Sequence, residues 1–227
     1  MYQKIVDNFV FNVGDDSANL AGWSGDTSAA QGLHQVPTFV DGKPVTTIED
    51  NAFECTYLEY LMLPSSIASI GKKAFRGGSI KGVQFYVEDE HYCQETLKVS
   101  TSAFKDCILM EYFSTLQFVE AEYLAFCGCP KLQLGKPHPT YFHVIHPEAF
   151  ASSQKLKEIY VLQDGHIQVN ALKNSSITDV HLAENAKIPE KTLDYIRDKG
   201  ITLHVFPESP LMNLAYDGIS VKEALPF

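Results

Sequence analysis

The chain has 227 residues, 45% hydrophobic, 11% aromatic and 20% charged, with 14 glycines; disordered segments carry fewer apolar residues and collagen-like ones far more glycine. Eighteen basic against 28 acidic residues give a formal charge of −10, which argues against nucleic-acid binding. No apolar run approaches the ~20 residues of a membrane-spanning helix, so no membrane insertion is expected and the length suits one large domain or two small ones.

The opening Met1 to Asn8 is too short and too polar for the apolar region of a signal peptide, so the sequence read literally implies a cytoplasmic product. Phe9 to Val13 reads as a strand, Gly14-Asp15-Asp16 as a turn and Ala18 to Trp23 as the returning partner. Residues 1–35 are therefore expected to form a β-hairpin cap, with Trp23, the single tryptophan, plugging the open end of the core. Five cysteines (Cys55, Cys93, Cys107, Cys127 and Cys129) are an odd set for a disulfide framework and read as free, mostly buried thiols.

From residue 36 onward a repeat organises the chain. Ala52-Phe53, Ala74-Phe75, Ala103-Phe104, Ala125-Phe126 and Ala149-Phe150 recur, and Ala171-Leu172 continues the series, at intervals of 22, 29, 22, 24 and 22 residues. Thr192-Leu193 is a degenerate seventh member. Four residues before each alanine stand Ile48, Ile70, Val99, Ala121, Ile145 and Ile167, and a small residue follows each pair: Cys55, Gly78, Cys107, Cys129, Ser153 and Ser175. A short apolar run comes next, clearest as Leu58-Glu59-Tyr60-Leu61-Met62-Leu63 before Pro64, and again at Ile80 to Phe85, Leu156 to Val161 and Ile177 to Leu182. Apolar residues at its first, fourth and sixth places make a short strand with one buried face.

A unit of about 22 residues cannot bury its own apolar face and needs neighbours on both sides. Stacked units are expected to form a parallel sheet on one surface, with the Ala-Phe segment returning the chain on the opposite one. Alanine is small because the next coil lies close, and phenylalanine fills the core. The run Ile48-x3-Ala52-Phe53, a small residue, Leu58-x2-Leu61-x-Leu63-Pro64-Ser65-Ser66-Ile67-x2-Ile70-Gly71-x2-Ala74-Phe75 resembles the BspA-like leucine-rich repeat family. The lead-in Val36 to Ile48 and the closing strand Ile201 to Val205 are similar to that family as well. The resemblance covers about residues 36–206 and implies an α/β solenoid. Its form is a right-handed leucine-rich repeat array of about six units of ~22 residues, with a parallel sheet on one face, short helical or irregular returns and end caps.

The 29-residue unit carries an insertion over Tyr86 to Lys98, an acidic loop of the kind that solenoids use for binding. His138, His143 and His146 lie near one another, but prolines at 137, 139 and 147 make the segment a loop, and His143 and His146 differ in strand parity. Cys127-Gly128-Cys129 lacks a second pair to complete a zinc set, and Cys129 falls where Cys107 and Ser153 fall in their units. His181 and His204 occupy the same outward place of adjacent strands, so they should stack about 4.8 Å apart with Asp179 on the same face. Asn174-Ser175-Ser176 matches a glycosylation triplet. Glu190 to Asp198 reads as a helix started by Ile188-Pro189 and stopped by Gly200, and residues 207–227 as a tail packing on the last coil, within a single domain.

There is no nucleophile elbow and no phosphate-binding glycine loop, so neither an enzyme, a cofactor nor a metal is expected. The expected function is a protein-binding scaffold whose face carries Tyr60, Met62, Gln84, Tyr112, Glu158, Tyr160, Asp179, His181 and His204, with the tyrosines exposed. The partner would be a protein with a basic patch, and uncovered array ends would permit self-association. The resemblance implies adhesion or protein interaction at a cell surface. The alternatives are a structural spacer within a larger surface protein and, behind it, a metal-dependent enzyme using the histidines.

Overall fold

The computed structural model describes residues 1–88, 94–134, 139–207 and 209–224. In chain order the strands are β1 (Tyr2–Val6), β2 (Phe9–Val13), β3 (Ala18–Trp23), β4 (Leu33–Gln35), β5 (Phe39–Val40), β6 (Lys43–Ile48), β7 (Tyr60–Pro64), β8 (Ser69–Ile70) and β9 (Gly82–Tyr86). They continue as β10 (Thr96–Val99), β11 (Tyr112–Ser114), β12 (Phe118–Ala121), β13 (Gln133–Leu134), β14 (Tyr141–Ile145), β15 (Glu158–Ile167) and β16 (Asp179–Leu182). Helix α1 (Glu190–Lys199), β17 (Thr202–Val205), a 3-10 helix over Pro210–Asp217 and β18 (Val221–Glu223) complete the chain.

The repeat produces a solenoid whose parallel strands stack coil upon coil. Its sheet is not confined to one surface, as the repeat alone suggests. Among the described residues, β4, β7, β9, β11 and β13 form one parallel sheet, while β6, β8, β10, β12 and β14 run through a second, longer one. The residue four places before each alanine lies in this second sheet: Ile48, Ile70, Val99, Ala121, Ile145 and Ile167 pair in register down the stack. All six are fully buried, which is why an apolar residue recurs there although no alternating run surrounds it. In the coil of β7 and β8 the turn at Pro64-Ser65-Ser66 separates the two sheets. It ends β7 and leaves room for a second extended stretch before the Ala-Phe corner.

That corner is a third ladder. Phe53, Phe75, Phe104 and Phe126 each donate their N–H to the carbonyl of the next unit's alanine, at 2.6 to 2.8 Å. The chain turns twice around each pair, once on a left-handed residue before the alanine and once on another two places after the phenylalanine. The first set is Asn51, Lys73, Ser102, Leu124, Glu148 and Asn170, and the second is Cys55, Gly77, Asp106, Gly128, Ser152 and Asn174, all with φ between 55° and 73°. Between the corners the rings stack face to face: Phe53–Phe75 at 5.0 Å, Phe75–Phe104 at 4.9 Å, Phe104–Phe126 at 5.3 Å and Phe126–Phe150 at 5.7 Å. Offset stacking of this kind adds to the burial term of each ring.

Beside the rings runs a polar column. The thiols of Cys107 and Cys129 donate to the carbonyls of Phe75 (3.0 Å) and Phe104 (3.1 Å), and the Ser153 hydroxyl donates to that of Phe126 (2.8 Å). The Phe75 and Phe104 carbonyls also accept a backbone N–H, from Gly78 (3.0 Å) and Cys107 (3.2 Å), so in these units the small residue adds a second donor to a buried carbonyl. In the last coil α1 replaces the corner. Thr192, from the degenerate pair, is buried and its hydroxyl donates to the Gln168 carbonyl (3.3 Å), and Gly200 ends the helix at φ 64°.

At the N-terminus the hairpin β2–β3 is antiparallel and is joined on its outer side by β1, turned by Asp7 and Asn8 at positive φ. β4, inside residues 1–35, already pairs in parallel with β7. Trp23 is half-buried and packs edge-on to Phe9 (5.0 Å) and His34 (4.9 Å). At the other end β18 pairs in parallel with β17, so the tail extends the sheet by a strand. The insertion is shorter than its sequence: Tyr86 closes β9 and Thr96 opens β10, while residues 89–93, with Cys93, lie outside the described residues.

Candidate functional site

The strand after each corner points alternate side chains outward, and these form rows across the stack. In the five-stranded sheet Tyr60, Gly82 and Tyr112 share one row and Met62, Gln84 and Ser114 the next. Tyr112 lies over Gly82, where a β-carbon would stand 2.2 Å from its Cζ. Glycine therefore lets Tyr60 and Tyr112, two strands apart, stack at 6.3 Å and 22°. Lys81 lies 5.8 Å from the centroid of the Tyr60 ring and donates to Glu59 (2.6 Å), which holds that carboxyl below its usual value. Burial raises the Tyr112 phenol. Met62 is half-buried and Gln84 exposed.

β13 stops at Leu134, and the face resumes in the other sheet. Here Tyr141, Tyr160, His181, His204 and Lys222 stand in register on β14 to β18. Tyr160 stacks on His181 at 4.3 Å and 12°, His181 on His204 at 4.3 Å and 13°, and Tyr141 meets Tyr160 edge-on at 6.0 Å. The histidine pair thus sits close to the spacing expected from adjacent strands.

Two residues earlier on each strand runs an acidic row, Glu158 beside Asp179 beside Thr202. It reaches the histidines of the ring row across the strands: His204 Nε2 is 2.7 Å from Asp179 Oδ1 and His181 Nε2 lies 3.4 Å from Glu158 Oε2. Asp179 therefore serves His204, not the His181 of its own strand. The Tyr160 hydroxyl donates to Glu158 (3.2 Å). The His204 bond holds the Asp179 carboxyl low, burial followed by the neighbouring His204 holds His181 low, and burial beside Glu158 pushes Tyr160 up to about 12.

Two residues later comes an apolar row, Leu162, Ala183 and Phe206, which joins Phe118 and Tyr141 around a groove of ≈ 460 Å³. Tyr141, Phe118, Leu162, Phe206 and Lys222 are absent from the sequence-based face. Phe206 is legible at two residues past His204; Tyr141 is hidden by the interrupted unit before it.

The nine expected face residues therefore fall into two groups, Tyr60, Met62, Gln84 and Tyr112 on one sheet and Glu158, Tyr160, Asp179, His181 and His204 on the other. The tyrosines expected to be exposed are half-buried, because each packs on a ring in its own row.

His138 lies outside the described residues; His143 is exposed, and His146 Nε2 is 3.0 Å from Glu120. Among the described residues no group of three or more His, Cys, Asp or Glu is arranged to hold a metal ion. Burial raises the thiols of Cys127 and Cys129, which disfavours the reactive thiolate, and Cys129 belongs to the structural column. Asn174 is exposed on its left-handed corner.

Comparison with known proteins agrees with this geometry. The chain resembles a leucine rich cell surface protein from Faecalibacterium prausnitzii A2-165, with a TM-score of 0.64 and 17% identity over 92% of this chain. It spans 55% of that protein's length, and at this identity the likeness concerns the fold alone. A leucine rich repeat protein of T. pallidum aligns at a TM-score of 0.49 with 16% identity, over 99% of this chain and 100% of that one. Comparison with curated proteins returns no match. The family model for the BspA type leucine rich repeat region matches residues 36–107 and 87–197, in six copies, the same stretch in which Ile48, Ala52 and Phe53 recur as stacked coils. The chain belongs to the BspA type leucine rich repeat family.

Proposed function

We propose that this chain is a non-catalytic scaffold that binds a protein through the outward rows of its strands, in the setting of a cell surface. The observation that carries the reading is the ring row Tyr141–Tyr160–His181–His204 standing beside the carboxylates of Glu158 and Asp179. These side chains lie outside the core, yet the ladder below fixes their register, so a partner meets them without a large ordering cost. Aromatic rows of this kind suit interface centres. With the formal charge of −10, they suit a partner carrying a basic patch, drawn in by long-range attraction.

A pull-down from native-cell and host extracts tests it, comparing the wild type with a Tyr60→Ala, Tyr160→Ala, His181→Ala variant whose fold has been checked by circular dichroism. A partner retained by the wild type, lost by the variant and weakened by salt supports the reading. Equal retention by both proteins overturns the assignment of the face. A second reading, a spacer within a larger surface protein, predicts no partner for either protein.

A further inference from the structure

The C-terminal half of the face carries three chemically different rows side by side. Glu158 and Asp179 form the acidic row, the Tyr160–His181–His204 ladder lies in the middle, and Leu162 and Phe206 belong to the apolar row along the groove. We infer that this triple row is a docking surface for a cationic amphipathic helix, a partner segment with Arg or Lys along one flank and apolar residues along the other. The inference rests on the protein-binding reading above and gives the partner's chemistry and shape.

The dimensions select a helix. Successive rows are two strand residues apart, about 6.7 Å, so three rows span about 13 Å, close to the 10–12 Å width of a helix with its side chains. Across the stack, β14 to β17 are separated by about 4.8 Å each, near the ~5.4 Å pitch at which a helix repeats its flanks. An extended segment, repeating every ~6.8 Å, falls out of step after one strand. The four strands cover about 14 Å, room for some ten helical residues.

The chemistry selects the flanks. Glu158 keeps 54% of its side-chain surface exposed and Asp179 33%, although each already serves a histidine. A carboxylate has about four acceptor sites, so both accept a guanidinium or ammonium as well. The ladder rings cover one another's faces at 4.3 Å, so a cation of the partner meets their edges and is held by the carboxylates beside them, with Lys222 at the far end of the row disfavouring further cations there. Beyond the ladder, Phe118 is 40% exposed and, with Leu162 and Phe206, lines the ≈ 460 Å³ groove, whose rim also carries Gln163 and Glu184; its apolar part takes apolar side chains from the opposite flank.

The test is selection from a random 16-residue peptide library displayed on phage, panned against the full chain, followed by fluorescence anisotropy of one enriched peptide. Two variants probe the flanks, Glu158→Gln/Asp179→Asn and Phe118→Ser/Leu162→Ser, and Tyr60→Ala/Tyr112→Ala probes the other sheet. The expected result is a consensus with basic and apolar residues at three- and four-residue spacing. Its affinity should fall at least about tenfold in each flank variant and hold in the third. An acidic or neutral consensus, alternation every second residue, or affinity unmoved by the flank variants overturns the inference. If binding then fails only in the Tyr60/Tyr112 variant, the strand-face reading survives and this inference falls; if no variant matters, or no peptide is enriched, both fall.

Discussion

Leu124 occupies a corner where the backbone has φ 58°, a conformation that costs an ordinary L-residue ~1–2 kcal/mol and glycine almost nothing. Asn51 and Asn170, residues that tolerate it, hold the same place in other units. Replacing Leu124 by Ala and by Gly removes the same half-buried side chain beyond the β-carbon, so the difference between the two variants isolates the corner. At an ordinary strand position alanine is the better residue by ~0.5–1 kcal/mol. At Leu124 the left-handed cost outweighs that preference, and the Gly variant should be more stable by ~0.5–1 kcal/mol. For a domain of this size this is a melting-temperature gain of roughly 1–4 °C. The control is Lys98 in β10, where both substitutions remove the same ion pair with Glu122 and alanine should win. Calorimetry and urea unfolding of the four variants decide it. An Ala variant at 124 equal to or better than the Gly variant would refute the reasoning.

Phe104 is fully buried and touches the rings of Phe75, Phe113 and Phe126, so Phe104→Ala should cost ~3–5 kcal/mol by urea unfolding; a loss below about 1.5 kcal/mol contradicts the ring ladder as core. Cys129→Ser should cost less than about 1 kcal/mol, because Ser153 makes the same bond one unit on, whereas Cys129→Ala leaves the Phe104 carbonyl without that donor and should cost more. The bond to His204 holds Asp179 below 3.8 and burial holds His181 below 6.5, so both bind protons more readily unfolded than folded. Their stabilisation is complete above those unfolded values and is lost as pH falls, from about 6.5 downward for His181 and from about 3.8 downward for Asp179. The urea midpoint should drop between pH 7 and pH 5, less steeply in His181→Gln, with His166, also held low by burial, keeping part of the slope. A midpoint that rises on acidification would sink this account.

Much of the fold was legible because each coil repeats one local rule. Ala-Phe recurring every 22 to 29 residues marks the corner, the apolar run marks the strand, and Pro189 with Gly200 marks α1. The second sheet was not legible: stretches such as Ser69–Ile70 are two residues long and show no period, and only stacking against the neighbouring coil makes them strands. The left-handed corners were equally hidden, because Leu124, Lys73 and Glu148 are not residues that announce such a turn. At the site, the stacking of His181 on His204 followed from strand arithmetic. The stacking of Tyr60 on Tyr112 did not, since it depends on the missing side chain of Gly82 between them.

The amino-acid sequence by itself determined that this is a stacked array, where its coils turn and which residues fill its core, because those choices are made within one unit and repeated. The tertiary structure alone decided which coils share a sheet. The short β13 ends one strand row and β15, ten residues long with a left-handed bend at Asp164, carries the face into the other. It also decided which side chains meet between coils, since a contact such as Asp179 with His204, 25 residues apart, exists only once neighbouring strands are in register.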